Sequence, residues 1–319
     1  MGLVPLNPFH SIKEAYGQTT TPDDSNSGGI ASSAAEPERL SAGVYLLNIG
    51  KVDLQTGSYD LDFYFWLASA SNSTVDFTKQ KPTFDFMNSM NAKIEPSRIE
   101  PNYYEVRVKG TFLKNMDFRN YPFDTQEVTV EVEGFETVDK LVFVPDTVSS
   151  GYDSLVNVPG WNLGKTEQSV IVHQYPDQSY SRYIFSFDIQ RAALSAFLKT
   201  IFPVIIITTI AMLAFWMSPT NFPPRIGLAA STLLAAVAAH LAAASQLPPI
   251  GYLTLMDKVM IVAYALFLNN LVSMVLQMRL VDHKKEEQAA KVNAKMRKLM
   301  PVIIGVILAV LVPFDLRVV

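Results

Sequence analysis

Cysteine is absent from all 319 residues. This excludes a disulfide-stapled scaffold, a thiolate zinc site, an iron–sulfur cluster and cysteine nucleophilic chemistry. Charge is also sparse. Only 18% of residues are Asp, Glu, Lys or Arg, against about 25% in an ordinary soluble domain, so the chain is not expected to be wholly soluble. Histidine occurs four times, with no paired cluster, and the chain has no phosphate loop, HExxH or GxSxG. Nothing calls for an enzyme, a metal or a cofactor. The net charge of -4 argues against a basic nucleic-acid binder. Met1 to Thr20 lacks a basic stretch followed by an apolar one, so no signal peptide is evident.

What the chain does have is divided in two. Residues 1–190 hold 25 Asp+Glu against 14 Lys+Arg, a net of -11, while residues 191–319 hold 5 against 12, a net of +7. Apolar residues concentrate beyond the same point. Two modules in different solvents are expected: a polar domain and a C-terminal membrane domain.

A helix needs roughly 20 mostly apolar residues to cross the hydrocarbon core. Four segments qualify, at about 192–217, 223–246, 253–279 and 295–314, within a membrane domain spanning 191–319. The last is short, but Lys295, Arg297 and Lys298 before it can snorkel. The connector between the third and fourth segments carries Arg279, Lys284, Lys285 and Lys291, and the connector between the second and third carries no charge. The positive-inside rule places the basic connector in the cytoplasm. Both termini and the acidic domain then lie outside, in an extracellular or periplasmic space. A cysteine-free domain in an oxidising compartment suggests a bacterial inner membrane.

The second segment differs chemically from the others. From Gly227 to Ala244 it consists of small residues with few large aliphatics and no aromatics. Helical spacing puts Gly227, Ser231, Leu234, Ala238, Leu241 and Ser245 on one face. Small side chains permit close helix packing, or they leave room for water and ions around an axis, where leucine rings close a narrow passage by dewetting.

Residues 1–40, rich in Ser, Thr, Gly, Pro and Ala, read as a flexible leader. Strands then recur to residue 190. A hairpin joins Gly43–Val52 to Ser58–Ala68 through Gln55-Thr56-Gly57, and further strands lie near 102–112, 127–135, 140–144, 164–173 and 182–190. This pattern predicts an extracellular all-β immunoglobulin-like sandwich over 41–190, followed by a four-helix transmembrane bundle.

Between the strands lies Lys114-Asn-Met-Asp-Phe-Arg-Asn-Tyr-Pro-Phe-Asp-Thr-Gln-Glu-Val128. Its run from Asp117 to Gln126 resembles the signature loop of pentameric ligand-gated ion channels, the Cys-loop receptor superfamily. Lys114 and Val128 stand where animal members have the two bridging cysteines, as in prokaryotic relatives. Gly160-Trp161, Arg191, Pro203, Trp216 and Leu247-Pro248 extend the likeness over about residues 40–319.

The resemblance implies a homopentameric ion channel in a lipid bilayer, passing inorganic ions through a pore lined by the second helix. It implies an ionic coupling cluster of Asp53, Asp124 and Arg191, with Pro122 and Phe123 meeting the turn from Leu247 to Tyr252 around Pro248. It implies an agonist site between sandwiches, where Glu133, Phe135, Tyr175 and Tyr180 would hold a small-molecule amine by charge and cation–π attraction. Lys81-Pro82-Thr83-Phe84 replaces the family's Trp-x-Pro wall, Ser69 replaces a frequent strand tryptophan, and Trp66 reads as sandwich core. Protons are the competing stimulus, with His240 inside the pore helix, while His10, His173 and His283 read as solvated. The run Pro223-Pro224-Arg225-Ile226-Gly227-Leu228 is similar to the entrance of the family's anion channels, whereas the acidic outer domain would gather cations; the constriction carries more weight, which favours anions. The alternative is a membrane-anchored β-sandwich binding or adhesion protein, for which a single membrane helix would suffice.

Overall fold

A computed structural model describes residues 36–70 and 73–315. Most of the leader assigned to residues 1–40 lies outside the described residues. Strand β1 (Glu38–Asp53) begins inside that segment, because Glu38, Arg39 and Leu40 pair with β7 (Leu141–Pro145). β2 (Ser58–Ser69) shows why the chain is extended here: Tyr59, Leu61, Phe63, Phe65 and Leu67 alternate inward while Asp60, Asp62 and Tyr64 face outward. The β1–β2 turn closes on Gly57, whose φ of 68° suits a residue without a Cβ.

One sheet runs β4 (Lys93–Glu100), β5 (Tyr103–Leu113), β2, β1, β7, with β8 (Gly151–Tyr152) also on β1. The other runs β3 (Phe84–Phe86), β6 (Thr125–Thr137), β10 (Ser179–Arg191), β9 (Trp161–Gln174). Their inner faces enclose one core, in which Phe63, Phe65, Phe84, Phe86 and Phe112 meet mostly edge to face. The sheets are also joined by a polar tie: the buried Tyr59 hydroxyl donates to the Thr129 carbonyl at 2.9 Å. The sandwich expected from the alternation is present. Strands β3, β4 and β8 were missed, being short or, for β4, exposed along nearly its whole length.

Four helices follow: Ala193–Trp216, Phe222–Ala244, Leu255–Asp282 and Glu286–Asp315. The first three are long and apolar enough to cross a membrane. The fourth begins at Glu286 rather than near residue 295. Its opening turns are polar, so an apolar count does not see them, yet the Glu287–Lys291 pair at 2.8 Å has helical spacing. The third helix likewise runs to Asp282, beyond its apolar stretch. Its start is fixed by a capping box in which Thr254 and Asp257 exchange backbone and side-chain hydrogen bonds.

Candidate functional site

β10 ends at Arg191 and the first helix begins two residues later, so this side chain stands at the junction of the two modules. Its guanidinium grips Asp124 of the signature loop with two bonds, Nε to Oδ1 at 2.7 Å and Nη2 to Oδ2 at 3.0 Å. Its cationic face lies 4.4 Å from the Trp161 ring and 5.2 Å from that of Tyr121. Asp124 is 1% exposed and also accepts from Gln126 Nε2 at 2.7 Å. Bidentate geometry, stacking and burial make this far stronger than a surface ion pair.

Asp53 does not join this pair. It is held by Lys51 at 2.7 Å, which keeps its carboxyl below the usual range. The expected three-membered cluster is therefore a two-membered one, since Lys51, two residues along β1, offers Asp53 a nearer cation. The β1–β2 turn instead reaches the second helix through Gln55, whose Nε2 donates to the Ser245 carbonyl at 2.8 Å, an acceptor left over at the helix end. Sequence reasoning missed Gln55. The available signal was its place in the turn at the membrane end of the hairpin.

The signature loop sits on the helix tops. Phe118, Tyr121 and Pro122 are buried, the two rings among Ile201, Val204, Leu255, Met256 and Met260. The carbonyls of Arg119 and Tyr121 accept from the N–H groups of Leu255 and Met256 at 2.8 and 3.1 Å. Those are first-turn donors of the third helix with no intrahelical partner. The Phe118 N–H donates to the Tyr252 hydroxyl at 3.0 Å, and Phe123, Leu247, Ile250 and Tyr252 flank the same cluster. Pro248 lines a cavity of about 530 Å3 beneath the loop, together with Tyr121, His240 and Tyr252.

On the second helix, Ala229, Thr232, Ala236 and Ala243 are buried against the rest of the bundle. Gly227, Ser231, Leu234, Ala238, Leu241 and Ser245 are all exposed on the opposite side, Leu234 by 71% and Leu241 by 66%. This face is the one its own chain leaves uncovered. Arg225 is not on it. Its side chain is fully buried and donates to the Ala214 carbonyl at 2.9 Å, Gln277 Oε1 at 3.1 Å and Asn293 Oδ1 at 2.9 Å. The arginine read as a constriction charge is turned into the bundle, because three neutral acceptors from the other three helices converge there. His240 bridges to the third helix, with Nε2 at 2.9 Å from Asp257 Oδ1 and Nδ1 at 3.0 Å from the Tyr264 hydroxyl.

On the sheet that contains β6 and β10, Glu133 is 6% exposed and both its oxygens are engaged. Arg182 reaches Oε2 at 2.9 Å and the Tyr175 hydroxyl donates to Oε1 at 3.0 Å. Arg182 also contacts Glu131 at 3.3 Å. The carboxylate expected to receive a ligand ammonium is thus already neutralised. Arg182 was overlooked because, on a strand, only register places it across from Glu133. The bond to Glu133 also raises the Tyr175 hydroxyl above its ordinary pKa and keeps it a donor. His173, Tyr175 and Tyr180 form a ring ladder with centroids 4.7 and 5.6 Å apart. Phe135 is 60% exposed. Trp66, expected in the sandwich core, is buried but lies outside the core cluster, because alternation turns it away from Phe65 and Leu67, and its Nε1 donates to Asp146 Oδ2 at 3.3 Å.

Asp188 on β10 lies opposite Glu127 of β6. Asp188 is exposed, but partial desolvation by its neighbours first, then the charges of Glu127 and Glu167, push its carboxyl above the ordinary carboxylate value. Below the unfolded-state value both states are protonated and the effect vanishes; above the raised folded value, ionised Asp188 opposes folding. Asp188→Asn is therefore expected to raise the melting temperature at pH 7, with the gain shrinking as pH falls through the carboxylate range. A gain independent of pH in thermal scans would contradict this.

A sandwich bolted to a membrane bundle through a buried arginine–aspartate clamp defines a receptor-like membrane protein. The model of the neurotransmitter-gated ion-channel transmembrane region matches residues 200–308. The chain is 29% identical over 184 residues to the chicken (Gallus gallus) gamma-aminobutyric acid receptor subunit beta-4, covering 54% of this chain and 36% of that one. It is 23% identical over 295 residues to the proton-gated ion channel of Gloeobacter violaceus, covering 85% and 81%. It is 25% identical over 224 residues to the human gamma-aminobutyric acid receptor subunit rho-1, covering 64% and 43%. The chain thus spans less than half the length of those receptor subunits. Over residues 200–308 the chain is similar to the transmembrane region of neurotransmitter-gated ion channels, and it carries no cysteine.

Proposed function

We propose that this chain assembles as a homopentamer around its second helix and forms a gated ion channel in a cell membrane, with the sandwich outside and an agonist site between neighbouring sandwiches. The observation that carries this is the uncovered stripe from Gly227 to Ser245: leucines at two levels between small or polar ends, on a helix whose other face is packed. Five copies facing an axis give a passage that leucine rings close by dewetting. The Asp124–Arg191 clamp and the Gln55 contact carry motion from sandwich to pore helix. One membrane helix would serve an adhesion stalk, which leaves this stripe without a role.

For selectivity we keep the anion reading on a changed ground. The Arg225 guanidinium is held by neutral groups alone. Five such charges around the pore mouth on the Arg225 side, in a medium that screens poorly, would favour anions. For the stimulus, closure of Glu133 by Arg182 argues against a primary amine at that carboxylate, which leaves protons as the competing stimulus. The ring ladder remains the place where an amine would bind.

The test is current through lipid bilayers containing the purified protein, under pH steps and then an amine panel. Acid-evoked current reversing near the chloride equilibrium potential in a salt gradient is expected. Silence under every stimulus, or a monomeric particle, would contradict the proposal.

A further inference from the structure

We infer that Gln277 of the third helix, buried inside the bundle and away from the uncovered stripe, is a positioning residue for ion selectivity: it holds Arg225 while leaving the charge of that guanidinium unneutralised. The inference rests on the channel reading above and deepens its account of selectivity.

Arg225 stands two residues before Gly227, a step that turns its side chain away from the stripe. It is fully buried, and a guanidinium can only donate. The atom of Gln277 that meets Nη1 at 3.1 Å is therefore the amide oxygen. The amide nitrogen then points elsewhere and, on a side chain that is itself fully buried, has no acceptor among the described residues. An orphaned buried donor is unfavourable. A glutamate of the same shape would keep one oxygen on Nη1, remove the orphaned N–H groups and make the bond charge-assisted. On local hydrogen bonding the acid fits better than the amide. What the amide preserves is the positive charge.

The other two acceptors leave that charge equally intact. Asn293 uses both its ends, since Oδ1 accepts from Nη2 and Nδ2 donates to the Phe215 carbonyl at 2.9 Å. The third acceptor is the backbone carbonyl of Ala214. The acidic groups of the neighbouring helix ends are directed elsewhere: Glu287 holds Lys291 at 2.8 Å, and Asp282 and Glu286 are exposed, Asp282 more than a turn beyond Gln277. Arg225 has no ion pair among the described residues. A carboxylate at position 277 would turn the bare charge into a close pair, whose field falls off much faster with distance. Five copies around an axis would then lose five positive charges at the mouth.

The test is the reversal potential in a sodium chloride gradient, across bilayers containing the purified full-length protein, for the native chain, Gln277→Glu and Gln277→Met. Gln277→Glu is expected to lower the chloride-to-sodium permeability ratio by about tenfold or more, and Gln277→Met, which removes the acceptor without adding charge, to leave it within about twofold. A merely structural role would alter stability or current size in both variants and move the reversal potential in neither. Should Gln277→Glu fail to assemble, Asn293→Asp brings the charge from the fourth helix and is expected to shift the ratio in the same direction. A ratio unchanged by the added carboxylate would overturn the inference. A native channel that already prefers sodium and prefers it more strongly in Gln277→Glu would support the inference and overturn only the anion reading. Absence of current from every chain would overturn the channel reading and this inference with it.

Discussion

Arg191→Ala is expected to yield an assembled protein that no longer opens. The side chain is 16% exposed and supplies both bonds to an aspartate that is almost completely buried. Removing one partner of such a pair costs about 3–5 kcal/mol, because the remaining charge stays desolvated. Here Gln126 still donates to Asp124, so the loss falls at the lower end, and the side chain is not itself part of the sandwich core. What is lost is the side-chain clamp that ties the signature loop to the junction of β10 and the first helix. Arg191→Lys keeps the charge but not the bidentate fork or the stacking on Trp161, and intermediate activation is expected. The double variant Asp124→Asn with Arg191→Gln should be less unstable than Arg191→Ala. Currents and particle size measured on the same samples separate gating from assembly. Normal activation of Arg191→Ala would show that the clamp is only structural.

Leu241→Ser is expected to have the second large effect. With Leu234 it supplies the only large side chains on the uncovered stripe of the second helix. A ring of hydroxyls in place of isobutyl groups widens the passage and lets water remain in it. If the resting channel is open about 1% of the time, a bias of roughly 3 kcal/mol makes the open form dominant. Current without stimulus is the readout. Thr232→Ser, on the packed face, should leave resting current unchanged.

Much of the architecture was legible because it follows from solvent. Alternation along β2 and β10 reads directly as strands, and uninterrupted apolar stretches read as membrane helices. The uncovered stripe of the second helix was also legible as a face, since helical spacing alone separates Leu234 and Leu241 from Ala229, Thr232 and Ala236. Direction and partnership were not. Arg225 precedes the stripe in sequence, but its side chain follows acceptors supplied by Ala214, Gln277 and Asn293, which lie 11, 52 and 68 residues away. Glu133 looked free because Arg182, 49 residues on, meets it only through strand register. Asp53 and Gln55 belong to the same turn, and nothing local shows which of them touches the helix end. The fourth helix was read short because its polar turns contribute to structure through spacing rather than hydropathy.

The absence of cysteine makes the central claim directly accessible, since any introduced thiol is the only one present. Gly227, Ser231, Leu234, Ala238, Leu241 and Ser245 would each be replaced singly by cysteine, alongside Ala229, Thr232, Ala236 and Ala243, and the open channel exposed to a charged, water-soluble thiol reagent. Irreversible change of current at the first six positions and none at the other four is expected. Modification at both sets alike, or at neither, would contradict a pore lined by this face.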